Sequence, residues 1–283
     1  MTVKVSINIV AKNEGPVIEK SISNIMAQID SRFELIIVDN YSTDDTYEIL
    51  RKFRGYNTII ERFNGNKGEA RNFALSISSG DYVLALDADQ IYFNLTRLID
   101  EYIDNYSNFG VKVGRSSFPI LAPKDMLLSV GGWRRLQYAE DWDLWFRLAD
   151  KCKYLYLPGR EYIFGQHNRD HKRNAGKMNL ISHYINKYRD IFITGLPVNL
   201  NNPGLMVLFA LGVIKAIPSL SLKRHYSCLK YLRKEVPSHF QNLDWDLRFQ
   251  YNLLLFQSER CSDQVFHKLL NDFEKAYSSS RQR

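Results

Sequence analysis

At 283 residues, with 45% hydrophobic and 24% charged side chains, the chain has the length of one large domain with room for an annex and the composition of a globular protein. That excludes a disordered or fibrous class. The net charge of +7 is unevenly spread: residues 1–170 carry 21 basic and 23 acidic side chains, and residues 171–283 carry 17 and 8, so a basic C-terminal part suits an anionic partner.

The first hundred residues alternate strands and helices. Val5–Val10 and Leu35–Val38 are short β-branched runs that end in polar residues, as buried parallel strands do. Between them Ile18, Ile22, Ile25 and Ile29 recur at helical spacing. Thr43-Asp44-Asp45 opens a second helix with capping residues, a third covers roughly Gly68–Ser78, and Tyr82–Leu86 is a further apolar strand. The alternation predicts βαβ units and a parallel sheet covered on both faces. A helix is expected over Leu95–Tyr106, strands over Lys112–Ile120 and Lys153–Leu157, and a Trp-rich helix over Glu140–Asp150. From about Met178 the pattern is helical, interrupted at Asn199–Pro203 and near Pro218 and Pro237. Leu205–Ile217 is the most apolar stretch; its 13 residues are too short to span a bilayer alone and predict a buried or interfacial helix, with a membrane-dipping helix the alternative.

Cys152, Cys228 and Cys261 lie far apart with no CxxC, which predicts neither a disulfide framework nor a cysteine zinc site. The opening MTVKVSINIVAKNEG carries charge too early for a signal peptide, so the expectation is an intracellular protein, cytoplasmic or peripheral at the cytoplasmic membrane face. Asn94-Leu-Thr96 and Asn105-Tyr-Ser107 have the form of glycosylation sites and are read as incidental.

Four segments carry chemistry. Asp87-Ala88-Asp89-Gln90 closes an apolar strand, and carboxylates at i and i+2 of an extended chain lie on one side. At the carboxyl end of a sheet strand they suit Mg²⁺ or Mn²⁺, which take hard oxygen ligands and leave positions to substrate phosphates. A polar turn is the plain alternative. Ile37-Val38-Asp39-Asn40-Tyr41-Ser42-Thr43-Asp44 places an aspartate at a strand end, where it can bind a base or ribose edge or simply cap a helix. Asn66-Lys67-Gly68-Glu69-Ala70-Arg71-Asn72 combines a glycine permitting close backbone approach with an arginine able to reach a phosphate. Gly131-Gly132-Trp133 followed by Glu140-Asp141-Trp142-Asp143 sets two acids at a helix start, where the dipole favours them.

In this order the four resemble the inverting, nucleotide-sugar-dependent glycosyltransferases of family 2, over roughly residues 3–167. The resemblance implies the GT-A fold, an α/β, Rossmann-like, mostly parallel sheet flanked by helices, over residues 1–170; it does not extend to residues 171–283, which charge and pattern alone mark as a basic, mostly helical annex. It implies a nucleoside diphosphate sugar donor, UDP or GDP most of all, bound by Ala11, Asn13, Glu14, Asp39, Ser42, Gly68, Arg71, Asp87 and Ala88. Asp89 and Asp87, with His167, would hold Mn²⁺ or Mg²⁺, Gln90 being a weaker ligand. Asp141 would be the general base, or Glu140 in its place. Tyr41 and Asp45 depart from the small residues usual in the family's nucleoside turn.

Arg169, His171, Lys172 and Arg173 are read as a basic loop over the diphosphate or as a solvated run. Basic and aromatic residues alternate over Lys223–Lys234, which suggests peripheral membrane contact and a saccharide or lipid-linked acceptor; a packing helix is the alternative. Four readings compete: a retaining GT-A transferase, a polyprenyl-phosphate glycosyl transferase, a nucleotidyltransferase and a silent glycan-binding scaffold. The Glu140-Asp141 dyad favours inversion, Ala11–Gly15 lacks a nucleotidyltransferase loop, and a scaffold is expected to have lost Asp89 or Asp141. No nucleic-acid-binding motif accompanies the basic half.

Overall fold

The computed structural model describes residues 4–55, 57–113, 120–158, 166–167, 177–198, 202–222 and 226–278. In chain order β1 (Val5–Ala11), α1 (Gly15–Met26), β2 (Phe33–Asp39), α2 (Thr46–Arg51), β3 (Thr58–Arg62), α3 (Lys67–Ile77) and β4 (Tyr82–Asp87) form the first half of the sheet. They lead to β5 (Gln90–Ile91), α4 (Leu95–Tyr106), β6 (Gly110–Val113), β7 (Ile120–Pro123), α5 (Lys124–Ser129), α6 (Glu140–Asp150), β8 (Tyr154–Leu157) and β9 (Gln166–His167). Helices follow: α7 (Lys177–Thr194), α8 (Pro203–Ala216) running into a 3₁₀ turn over Ile217–Leu222, α9 (Leu229–Leu232), α10 (Trp245–Arg260) and α11 (Gln264–Ser278).

Seven strands make one sheet in the order β3-β2-β1-β4-β7-β6-β8, with only β7 running against the rest. β1 and β2 are nearly or wholly buried along their length, as strands covered by helices on both faces must be. Helix α1 starts with proline in its first turn, where the missing N–H costs nothing, and buries Val17, Ile18, Ile22 and Ile25. The register pairs Ala11 with Asp39 and Val10 with Asp87, so the carboxyl ends of β2, β1 and β4 lie side by side. Three of the expected motifs therefore meet at one edge of the sheet, where open α/β sheets place their ligands.

The single strand expected over Lys112–Ile120 is two strands, β6 and β7, paired antiparallel. The residues between them, 114–119, lie outside the described ones. β3 escaped the sequence reading because Thr58–Arg62 buries only alternate side chains and so lacks a continuous apolar run.

Helices α10 and α11 share the sheet's hydrophobic core through Leu253, Phe256, Phe266 and Phe273. Polar contacts reinforce this: Tyr154 Oη donates to Gln250 Oε1 at 2.8 Å, and Gln257 Nε2 donates to the Tyr154 carbonyl at 2.6 Å. Lys112, wholly buried on β6, pairs with Asp246 of α10 at 3.0 Å, and burial pulls its ammonium below the usual lysine range. Cys152 and Cys261, 109 residues apart, form a disulfide between the end of α6 and the end of α10. This corrects the expectation of no disulfide: packing brings their Cα atoms to 5.8 Å, which sequence spacing does not reveal.

The apolar segment also departs from expectation. Because the 3₁₀ turn continues α8, Pro203–Ser221 forms 19 helical residues, long and apolar enough by length and composition to cross a membrane. Little of it is buried. Val207, Ile214 and Ile217 are each about 60% exposed, while Gly212 lets the other face close on Tyr188 and Arg189 of α7.

Candidate functional site

Helix α3 supplies the centre of the site. Its start is set by a capping box: Asn66 Oδ1 accepts the Glu69 N–H and Glu69 Oε2 accepts the Asn66 N–H. Lys67, the first helical residue, and Arg71, one turn on, stand at i and i+4 on one face and point at three carboxylates. Arg71 Nη2 donates to Asp87 Oδ1 at 3.1 Å and to Asp141 Oδ2 at 3.3 Å, and its Nε lies 3.7 Å from Glu140. Lys67 Nζ reaches Glu140 at 3.0 Å and Asp87 at 3.9 Å. The guanidinium is 3% exposed and ties the end of β4 to the start of α6.

Charge balance follows from this packing. Burial works against the charge on Lys67 and Arg71, yet the surrounding carboxylates raise both above their usual values. Burial pushes Glu140 above the usual carboxylate range, and Asp141 adds to this, while Lys67 and Arg71 pull the other way.

Asp141 is held at both oxygens. Trp133 Nε1 donates to Oδ1 at 2.7 Å, opposite the Arg71 contact at Oδ2. Trp133 is in turn fixed by Asn72 of α3, whose amide bonds the Trp133 backbone in both directions, with Trp133 N–H to Asn72 Oδ1 at 2.8 Å. Gly132, at φ +59°, permits this approach: a Cβ there would strike Asn72 Oδ1. Arg147, which the sequence placed in the company of the dyad, braces this loop by donating to the Val130 and Gly132 carbonyls and to Asp143. Gly68 serves packing in the same way, since a Cβ would collide with the Arg134 carbonyl oxygen.

Asp87 ends β4, but Ala88–Asp89 is a turn, so the two aspartates do not follow strand alternation as expected. Tyr92 sets this turn: its hydroxyl accepts the Asp87 N–H at 2.8 Å and donates to the Asp87 carbonyl at 3.3 Å. Ala88 faces the core. Gln90 Nε2 lies 3.5 Å from Asp87 Oδ2, and Gln90 Oε1 is buried with no hydrogen-bond partner among the described residues. β9 pairs His167 with Gln90, which brings the His167 backbone beside this turn; its side chain lies outside the described residues. Among the described residues no group of three or more His, Cys, Asp or Glu is gathered for a metal. Asp87, Asp89 and the orphaned Gln90 oxygen still fit a divalent cation of the Mg²⁺ or Mn²⁺ type, because these accept a partial oxygen shell completed by substrate.

The loops after β1 and β2 interlock. Asn13, at φ +57°, donates its N–H to Ser42 Oγ at 2.9 Å and accepts the Thr43 N–H at 2.8 Å. Glu14 N–H bonds Thr46 Oγ1 at 2.8 Å, and Ala11 is buried at the end of β1. Asp39 is wholly buried, accepting from Arg62 Nε at 2.9 Å and from the Ser42 N–H at 3.3 Å. Arg62 sits 4.5 Å from the rings of both Tyr41 and Tyr47. The sequence reading missed Arg62 because it lies on the unrecognised β3, and missed Lys67 although its spacing of four from Arg71 was a usable signal.

Among the described residues, Tyr226–Lys234 form no continuous surface helix. Tyr226 is buried with its hydroxyl bonded to Asp143, α9 is one turn long, and Lys223–His225 lie outside the described residues, as do Arg169–Arg173. Helix α7 instead reaches the site: the buried Asp190 Oδ2 accepts the N–H groups of Gln137 at 2.6 Å and Tyr138 at 2.9 Å, just before Glu140. A cleft of about 410 Å³ opens beside this loop, lined by Tyr138, Trp142, Lys187, Tyr188 and Trp245.

Residues 6–158 match the model described as glycosyl transferase family 2. The UDP-Glc:alpha-D-GlcNAc-diphosphoundecaprenol beta-1,3-glucosyltransferase WfaP of Escherichia coli is 34% identical over 120 residues, 38% of this chain and 47% of its own. The poly(ribitol-phosphate) beta-N-acetylglucosaminyltransferase TarP of Staphylococcus aureus is 28% identical over 113 residues, 38% of this chain and 33% of its own. The chain thus spans less than half the length of these curated relatives. Among solved structures, the mannosyltransferase PcManGT from Pyrobaculum calidifontis, in complex with GDP-Man and Mn²⁺, superposes with a TM-score of 0.54 at 17% identity, covering 96% of this chain and 79% of that one. S. aureus TarS 1–349 in complex with UDP-GlcNAc gives 0.52 at 17%, covering 98% and 90%. These likenesses establish the fold as GT-A.

Proposed function

Because the chain belongs to glycosyl transferase family 2, we propose that it moves a sugar from a nucleoside diphosphate sugar to an acceptor hydroxyl with inversion at the anomeric carbon. The observation that carries this reading is the sharing of one guanidinium, Arg71, by Asp87 on the donor side and Asp141 at the start of α6. A donor group and a basic carboxylate held on one cation are within reach of one reacting centre.

In this reading the nucleoside lies over the interlocked loops after β1 and β2, bordered by Asn13, Glu14 and Ser42, with Asp39 as the floor. Asp89, Asp87 and Gln90, with His167 from β9, would hold Mn²⁺ or Mg²⁺; a bound cation would stabilise negative charge on the departing diphosphate. Lys67 and Arg71 add fixed positive charge on the same side. Asp141 accepts the proton of the attacking hydroxyl. The Trp133 indole and Arg71 fix its orientation, so little reorganisation is needed as the proton arrives. Glu140, more deeply buried and tied to Lys67, orients and balances charge. The cleft between α7 and Trp142 and Trp245 offers aromatic faces and Lys187 to a saccharide or lipid-linked acceptor.

The test is thermal melting with UDP, GDP, CDP and dTDP, with and without Mn²⁺, on the wild type and Asp89→Asn. Ligand at a hundred times its dissociation constant stabilises by about 2.7 kcal/mol. A Mn²⁺-dependent upward shift for one nucleotide, lost in Asp89→Asn, supports the donor site; no shift with any of the four overturns it.

A further inference from the structure

We propose that the α7–α8 hairpin is a membrane-docking surface that lies in the plane of an anionic leaflet, its apolar face in the headgroup–acyl boundary. Val207, Leu211 and Ile214 recur at i, i+4 and i+7 of α8, forming one exposed stripe, and Ile217 and Leu220 continue the exposed apolar surface along the 3₁₀ turn. Leu180, Ile181 and Tyr184 expose further apolar surface on the first half of α7. Side chains this apolar and this exposed over a continuous stretch mark an interaction site rather than ordinary surface.

Charge selects the occupant. Helices α7 and α8 carry four Lys or Arg (Lys177, Lys187, Arg189 and Lys215) and one carboxylate, Asp190. That carboxylate is buried against Arg189 and the Gln137–Tyr138 backbone, so it compensates Arg189 and leaves Lys177, Lys187 and Lys215 as the net positive charge of the hairpin. An apolar stripe in a basic segment suits a surface that is apolar within and negative at its edge, which is an anionic leaflet. A second copy would bring the same basic segment against itself.

Attachment decides between lying on the bilayer and crossing it. α8 has the length to span, but Gly212 packs its backbone directly on Tyr188 and Arg189 of α7. α7 is tied in turn to the catalytic domain through Asp190 and through His183 Nδ1, 3.0 Å from Tyr138 Oη. A crossing would draw Lys187, Arg189 and the Gln137–Tyr138 loop into hydrocarbon, where unsatisfied polar groups are costly. Docking in the plane leaves these contacts intact. It also holds the cleft beside Tyr138 at the membrane, the position a lipid-linked acceptor requires; this last consequence alone rests on the transferase reading.

The experiment is flotation of the full chain with phosphatidylcholine vesicles and with vesicles that also contain phosphatidylglycerol. Expected are binding to the anionic vesicles, weakening in high salt, and release by alkaline carbonate. Val207→Glu combined with Ile214→Glu should lower partitioning at least about tenfold, with unchanged melting temperature and unchanged nucleotide-induced shift. Leu211→Trp should be quenched by brominated lipid. Equal partitioning of wild type and double variant, or an unquenched Trp at position 211, overturns the proposal. Resistance to carbonate overturns the in-plane arrangement. A dimer in light scattering that the double variant dissolves assigns the face to a second copy instead. Nucleotide shifts are read separately, so vesicle binding without them would sink the transferase reading and leave the docking surface standing.

Discussion

Replacing Arg71 by methionine removes the guanidinium that Asp87, Asp141 and Glu140 share while keeping much of the side-chain volume. Lys67 would then face all three carboxylates alone, at 3.0 Å from Glu140 and 3.9 Å from Asp87. Breaking a buried ion pair by removing one partner costs about 3–5 kcal/mol. With an unfolding entropy of about 2.1 cal/mol/K per residue, that lowers Tm by roughly 5–9 °C for this chain. The loss depends on pH in a definite direction. Glu140 already has a folded-state pKa above its unfolded value, through burial. Stability attached to such a group is fully present below the unfolded pKa and is lost as pH rises through the folded one. Without Arg71 the folded value climbs further, so the Arg71→Met deficit should be largest at the alkaline end and shrink as pH falls through the raised Glu140 value, where protonation relieves the imbalance. Scanning calorimetry of both proteins from pH 5 to 8 reads this directly. A deficit under about 2 °C, or one that does not vary with pH, would refute the view that Arg71 compensates buried charge.

Asp141→Asn should lower turnover by about 10²–10⁴ with the nucleotide-induced melting shift retained; full activity in this variant with collapse in Glu140→Gln would move the general base to Glu140. Opening the Cys152–Cys261 bridge frees a 109-residue loop. Loop-closure entropy puts the loss at up to about 4.7 kcal/mol, or roughly 8 °C in Tm, measurable by melting Cys261→Ala beside the wild type with and without dithiothreitol. An unchanged Tm on both counts would show that the bridge contributes nothing.

Arg71 shows where reading the sequence stops. Its motif, its helix and its place in the series of four segments were all legible. The carboxylates it ties together were not: Asp87 and Asp141 lie 16 and 70 residues away along the chain. The same holds for Trp133, visible after the glycine pair but not as the hydrogen-bond donor to Asp141.

By itself the sequence determined the α/β class, the order of most elements and the positions of the motifs. The signals involved are local: apolar periodicity, capping residues and acids at strand and helix ends act within a turn or two of chain. Tertiary structure alone decided the partners. It paired Asp39 with Arg62, Lys112 with Asp246 and Cys152 with Cys261, and it turned the chain at Ala88–Asp89 where alternation was expected to continue. It also left the apolar face of α8 outside the core. Composition tells how much a segment gains by leaving water, and only the packed fold tells which surface receives it.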